Sequence, residues 1–166
     1  MKVAGIESLD QRHIGERGLV AKLGWVNIFT RALADVPATV KGEEANKALA
    51  IELGRIGVRF RREVLAGQGS GHAVDFVIEF SSDRIGVELG TGQAERLELD
   101  LLKLISLALR QEIDYACLIL PRDVTRVPVF GKQEMRTAVR SLAALCSPIL
   151  APAQAQLKDT LVIWYV

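Results

Sequence analysis

The chain has only two cysteines, Cys117 and Cys146, and the first sits inside an apolar, strand-like run. That is too few for a disulfide framework and predicts reduced thiols in a cytoplasmic protein, with Cys117 buried and inert. Charge of one sign is equally scarce. The 21 Lys and Arg against 20 Asp and Glu leave a net +1, which excludes a uniformly basic, histone-like binder but not local patches. Long apolar runs are missing too: the longest, Ala116–Pro121 and Leu161–Val166, fall far short of the ~18 residues of a membrane span. The opening MKVAGIESLDQRH has no apolar h-region, which predicts no secretory signal. His13 and His72 are too isolated for a metal cluster, and neither Ser nor Cys has a His partner placed for nucleophilic catalysis. Trp25, Trp164 and Tyr115 lie in apolar patterns and read as core rather than base-stacking platforms. No repeat, low-complexity tract or linker interrupts the 166 residues. With 49% hydrophobic and 25% charged residues, the chain reads as a single domain, 1–166.

What is present is a change of period along the chain. Leu19, Leu23, Val26, Phe29 and Leu33 recur at three- and four-residue steps until Pro37, predicting an N-terminal helix within an extension over 1–40. A second helix is expected from Gly42 to Leu53. Val58–Val64 then alternates with Arg59 and Arg61, and His72–Phe80 alternates strictly: Val74, Phe76, Ile78 and Phe80 on one face, Asp75, Val77 and Glu79 on the other. Ser81-Ser82 suits a tight turn into a strand over Arg84–Leu89. A helix over Glu95–Arg110, a doubly covered strand over Asp114–Pro121, a helix over Lys132–Leu145 and a strand over Leu161–Val166 complete the order α-α-β-β-β-α-β-α-β. This is α/β architecture with a mixed sheet and a parallel crossover between residues 84 and 121. The core is 42–121, followed by a C-terminal helix and strand over 122–166.

Two carboxylates stand out. Pairing Phe80 with Asp83 across the turn sets Asp75 directly opposite Glu88 on one face, with Cβ atoms roughly 5 Å apart. Facing carboxylates repel unless a cation lies between them, and Mg²⁺ takes one or two carboxylates while keeping water and phosphate in the rest of its shell. The surroundings are patterned to match. Asp75, Glu79, Asp83, Glu88, Glu95, Glu98 and Asp100 crowd one stretch, with Arg55, Arg59, Arg61 and Arg62 upstream and Arg122, Arg126, Lys132, Arg136 and Arg140 downstream. An acidic pocket between basic segments suits an enzyme acting on a polyanion.

The run VDFVIEFSSDRIGVELGTGQAERLELDLLKLISLAL, followed by IDYACLILP, resembles the core of PD-(D/E)xK nucleases, and most nearly the type II restriction endonucleases of the BglII/BstYI kind. The resemblance covers about residues 42–121. It implies a restriction-endonuclease-like α/β/α sandwich with a central mixed sheet, here with an added N-terminal helix. Asp75 matches the motif Asp and Glu88 the motif Glu, which implies Mg²⁺ (or Mn²⁺ in its place) on Asp75 and Glu88 and hydrolysis of DNA. Glu44, or alternatively Glu52, corresponds to the family's first-helix acid. Arg59, Arg61, Arg62, Arg122, Arg126 and Arg136 become the expected DNA contacts.

The pattern departs at Gly90, where the family places Lys or another polar side chain. Residues i and i+2 share a strand face, so Gly90 is expected to leave a hole beside the metal. Either Gln93 or Lys103, in the DLLK segment with Asp100, reaches in, or catalysis has been lost and the chain binds DNA or a protein partner. Glu88–Gln93 also resembles the glycine-rich motif of S-adenosylmethionine-dependent methyltransferases, but too few residues follow Ala94 for that fold. Double-strand cleavage implies a homodimer, with the Gly18–Asp35 helix and its Trp25 and Phe29 as the expected interface.

Overall fold

A computed structural model describes residues 1–8, 24–37, 39–40, 42–69, 71–90, 94–121, 152 and 156–165. Among these the fold is mixed α/β: one six-stranded mixed sheet and three helices. The elements are β1 (Val3–Ser8), α1 (Gly24–Asp35), α2 (Glu43–Arg55), β2 (Arg59–Leu65), β3 (Ala73–Phe80), β4 (Asp83–Leu89), α3 (Ala94–Leu109), β5 (Tyr115–Pro121) and β6 (Asp159–Tyr165). Strand order is β1-β6-β5-β4-β3-β2. The meander β2–β3–β4 is antiparallel, β4–β5–β6 is parallel, and β1 closes the far edge antiparallel to β6. No helix of the described residues is long and apolar enough to cross a membrane.

The alternation of the central strands divides the core in two. Phe76, Ile78, Ile85, Val87, Cys117, Leu161 and Ile163 meet α1 and α2 on one side of the sheet. Val77, Ala116, Leu118, Leu120 and Val162 meet α3 on the other. Both strand faces of β5 are covered, and burial pushes the Cys117 thiol up, as its apolar run implied.

Two expectations change. Residues 3–8 form a strand where only a helix was expected in the first forty. The segment VAGIES is too short and weakly patterned to announce itself, and its stability comes from pairing with β6. Helix α1 is core, not an appendage: Trp25 is 2% exposed and Phe29 1%, packed edge to face on each other, with Trp25 also against Tyr115 of β5. The apolar face offered above for a dimer contact is covered by the chain's own sheet. Leu19, Leu23, Cys146 and the helix expected over Lys132–Leu145 lie outside the described residues, as does the side chain of Trp164.

Candidate active site

The β3–β4 hairpin pairs Phe80 with Asp83 and Phe76 with Val87, and the next step of that register sets Asp75 opposite Glu88. Pairing stops there. The Asp75 carboxylate takes over, its Oδ2 accepting a hydrogen bond from the Leu89 amide at 2.9 Å. On the other side Asp75 faces Glu63 of β2, which drops out of the β2–β3 register and holds φ at 51°, a left-handed conformation rare for a non-glycine residue. Strict alternation breaks at this point: Val74 joins Val77 on the α3 side instead of Phe76 on the other.

Glycines on β4 set the distance to α3. A Cβ at Gly86 would lie 2.8 Å from Ile113 Cδ1 and 2.9 Å from Leu104 Cδ2, so the glycine lets those side chains rest directly on the strand without shifting. Helix α3 therefore lies close enough for Lys103 to reach β4. Its ammonium stands 2.7 Å from Glu88 Oε1 and 2.9 Å from Asp100 Oδ1, one helical turn back. The side chains of Lys103, Glu88 and Asp100 are 11%, 2% and 14% exposed. The Lys103–Glu88 contact is close but poorly aligned, and Glu88 Oε1 is buried without a well-formed hydrogen bond.

Among the described residues, three acids thus share one base. Burial, and then the charge of Asp75, push the Glu88 carboxyl from 4.5 up to about 9, against the pull of Lys103. Burial also raises Asp75, opposed by the Leu89 amide, Lys103 and a hydrogen bond with Glu88. For Lys103, burial alone would lower the ammonium, but its contacts with Glu88 and Asp100 outweigh that and hold it above its ordinary value. The pair of carboxyls shares a proton or a cation in preference to carrying two bare charges.

The hole expected at Gly90 is filled. A Cβ there would fall 2.5 Å from Leu120 Cδ2, and Leu120 is 2% exposed. The Gly90 amide donates to Ile119 O at 2.8 Å and its carbonyl accepts from the Tyr165 hydroxyl at 3.2 Å. A side chain at that strand position would have to displace the Leu120 methyl.

Of the other residues singled out in the sequence, Arg59 and Arg61 are exposed on edge strand β2, with Arg59 Nε 3.8 Å from Glu79. Arg62 faces the opposite way, bonded to Glu43 at 2.9 Å and lying over the Phe76 ring. Glu44 is exposed near the start of α2, whose buried residues belong to the core across the sheet from Glu88. His72 is exposed where the chain enters β3. Gln93, Arg122, Arg126 and Arg136 lie outside the described residues.

Among the described residues no three His, Cys, Asp or Glu side chains are arranged as a metal-holding group. The Asp75–Glu88 pair nevertheless suits one hard cation: two carboxylates on neighbouring strands, both raised first by burial, with Glu88 Oε1 buried and met by Lys103 without a well-formed hydrogen bond. Sequence reasoning passed over Asp100 as a site residue, although its i,i+3 spacing from Lys103 was a usable signal. It passed over Gly86 and Leu120 as well, whose roles depend on contacts between distant segments. No protein-family model matches this chain, and no curated protein matches it in sequence.

Proposed function

We propose that the chain is a divalent-metal-dependent endodeoxyribonuclease on the PD-(D/E)xK plan, of the restriction-endonuclease type, with its lysine supplied by α3 in place of strand position 90. One observation carries this reading: a largely buried Lys103 ammonium lies on Glu88 beside Asp75, while the side-chain space two residues after Glu88 is taken by Leu120. A lysine that enters from the helix completes an Asp, Glu, Lys set that the strand alone lacks.

Asp75 and Glu88 are the residues to hold Mg²⁺, which when bound supplies an acidic water and positive charge against the phosphate. The chain's own groups do the rest. Asp75, anchored by the Leu89 amide, keeps its carboxylate fixed relative to β4. Lys103 stays protonated, so it serves as a cationic donor toward the charge that develops on phosphorus and not as a general base. The apolar packing of Leu104, Leu120 and Ile113 around the cluster keeps the local dielectric low, which strengthens each of these interactions. Exposed Arg59 and Arg61 add positive charge at the sheet edge for the DNA backbone. Cleavage of both strands calls for a second copy of the chain, docked through a surface other than the buried face of α1.

The test is cleavage of supercoiled and linear duplex DNA by the purified protein in Mg²⁺, Mn²⁺ and EDTA. Metal-dependent nicking or linearisation that disappears in Lys103→Met supports the reading. Metal binding by calorimetry without cleavage would assign the silent alternative, a nuclease-like protein that binds DNA or a protein partner. Absence of both metal binding and cleavage would overturn the nuclease assignment.

A further inference from the structure

We propose that Asp100 is a positioning residue for Lys103, holding the ammonium in the site when a divalent ion takes the Glu88 oxygen that the lysine contacts. This rests on the nuclease reading above and adds a residue outside the Asp, Glu-x-Lys pattern that suggested it.

The geometry requires a second anchor. Lys103 Nζ is shared between Glu88 Oε1 at 2.7 Å and Asp100 Oδ1 at 2.9 Å. A cation on Glu88 repels the ammonium from the first of these oxygens, and among the described residues Asp100 is the other carboxylate within ion-pair distance. A lysine borne on a strand two residues after the glutamate would be held by the backbone it shares with that residue. Here Leu120 closes that position, so the cation arrives from α3 on a long chain with many rotamers. Asp100 sits one turn before Lys103 on the same helix face, and its side chain is 14% exposed, so it meets the ammonium with little competition from water. Release from Glu88 then moves Lys103 toward Asp100 rather than into solvent, and the charge remains beside the reacting phosphate.

The test is a double-mutant cycle of Asp100→Asn and Lys103→Met, with a second readout that does not depend on activity. In the wild-type background Asp100→Asn should lower kcat by about 10- to 100-fold with KM for DNA unchanged. In the Lys103→Met background it should cost nothing further, because the group it positions is gone. Asp100→Glu, which keeps the charge one methylene away, should recover part of the rate; it carries the same test if the Asn variant does not fold. The second readout is the Lys103 ammonium resonance in ¹⁵N-lysine-labelled protein with Mg²⁺ and no DNA. It should exchange slowly in the wild type and vanish in Asp100→Asn. Equal rate losses in both backgrounds, or an ammonium signal that survives Asp100→Asn, would overturn the proposal. A wild type that cleaves DNA while Asp100→Asn cuts at full rate overturns this inference alone, whereas absence of both metal binding and cleavage overturns the nuclease reading and this one with it. If metal binds without cleavage, the resonance decides.

Discussion

The two ends of β4 carry ion clusters of opposite character. At its start, Arg84 pairs with Asp114 at 3.2 Å and Lys158 with Asp83 at 2.5 Å, two matched ion pairs partly in solvent. At its end, Asp75, Glu88 and Asp100 face, among the described residues, Lys103, with Glu88 2% exposed. The first cluster closes on itself. Although burial raises the Asp114 carboxyl, its bonds to Arg84 outweigh that and hold it below its ordinary value. The second has more acids than bases among the described residues, and burial raises its Asp75 and Glu88 carboxyls. A core built for stability alone does better with apolar residues there. On the proposed reading, a cation is what would complete this acid-rich end of the strand.

The largest effect should come from breaking the unbalanced end. Asp75→Asn and Glu88→Gln should each lower metal-dependent cleavage by roughly 100-fold or more, measured as initial rates on plasmid DNA. Neither should lower the melting temperature in metal-free buffer, since each relieves repulsion. A large loss of Tm with no cleavage in the wild type would make the cluster structural, like its counterpart.

Next in size is Gly90→Lys, which on sequence grounds restores the motif. The contact with Leu120 makes it an overpacking change, expected to destabilise by about 1–3 kcal/mol in urea unfolding and to give no gain in rate. Pairing it with Leu120→Ala should recover part of the loss.

The two ends also differ in the sign of their pH dependence. Glu88 ionises near 4.5 when unfolded and near 9 when folded, so between those values the folded chain holds a proton the unfolded chain has lost. Its contribution is present in full below 4.5 and lost as pH rises toward 9. Glu88→Gln should flatten this slope and exceed wild-type stability at pH 8.5 by at least about 1.4 kcal/mol, the equivalent of one pKa unit. Mg²⁺ should raise the wild-type Tm more at pH 8.5 than at pH 6, because binding must displace the Glu88 proton. Asp114 acts the other way: its contribution is present above 3.8 and lost as pH falls through its depressed folded value. Denaturation curves across pH 3–9 for wild type and Glu88→Gln separate the two.

The smallest effect belongs to the balanced end. Arg84→Ala breaks a pair whose arginine is 42% exposed and should cost at most about 1 kcal/mol, with cleavage unchanged. A substantial rate loss there would remove the distinction between the ends.

Much of this was readable along the chain because it is local. Period-two alternation located β3 and β4 and, with a two-residue turn, their register; those are properties of neighbouring residues and of the pleat. Three- and four-residue spacing located α2 and α3 to within two residues and the end of α1 at Asp35; the expected start of α1 lies outside the described residues. From these alone Asp75 falls opposite Glu88, and the α/β class follows.

Other features were decided only when distant segments met. VAGIES is a strand because β6 offers it an edge, and the Trp25–Phe29 face is core because β5 lies beneath it. Gly90 is a packing glycine because Leu120, thirty residues on, already fills its side-chain space. Lys103 is on Glu88 because Gly86 lets α3 settle against the strand. Spacing along a chain fixes which face a residue occupies; only the distance between packed elements, set here by two glycines and the side chains that press on them, decides which charges touch.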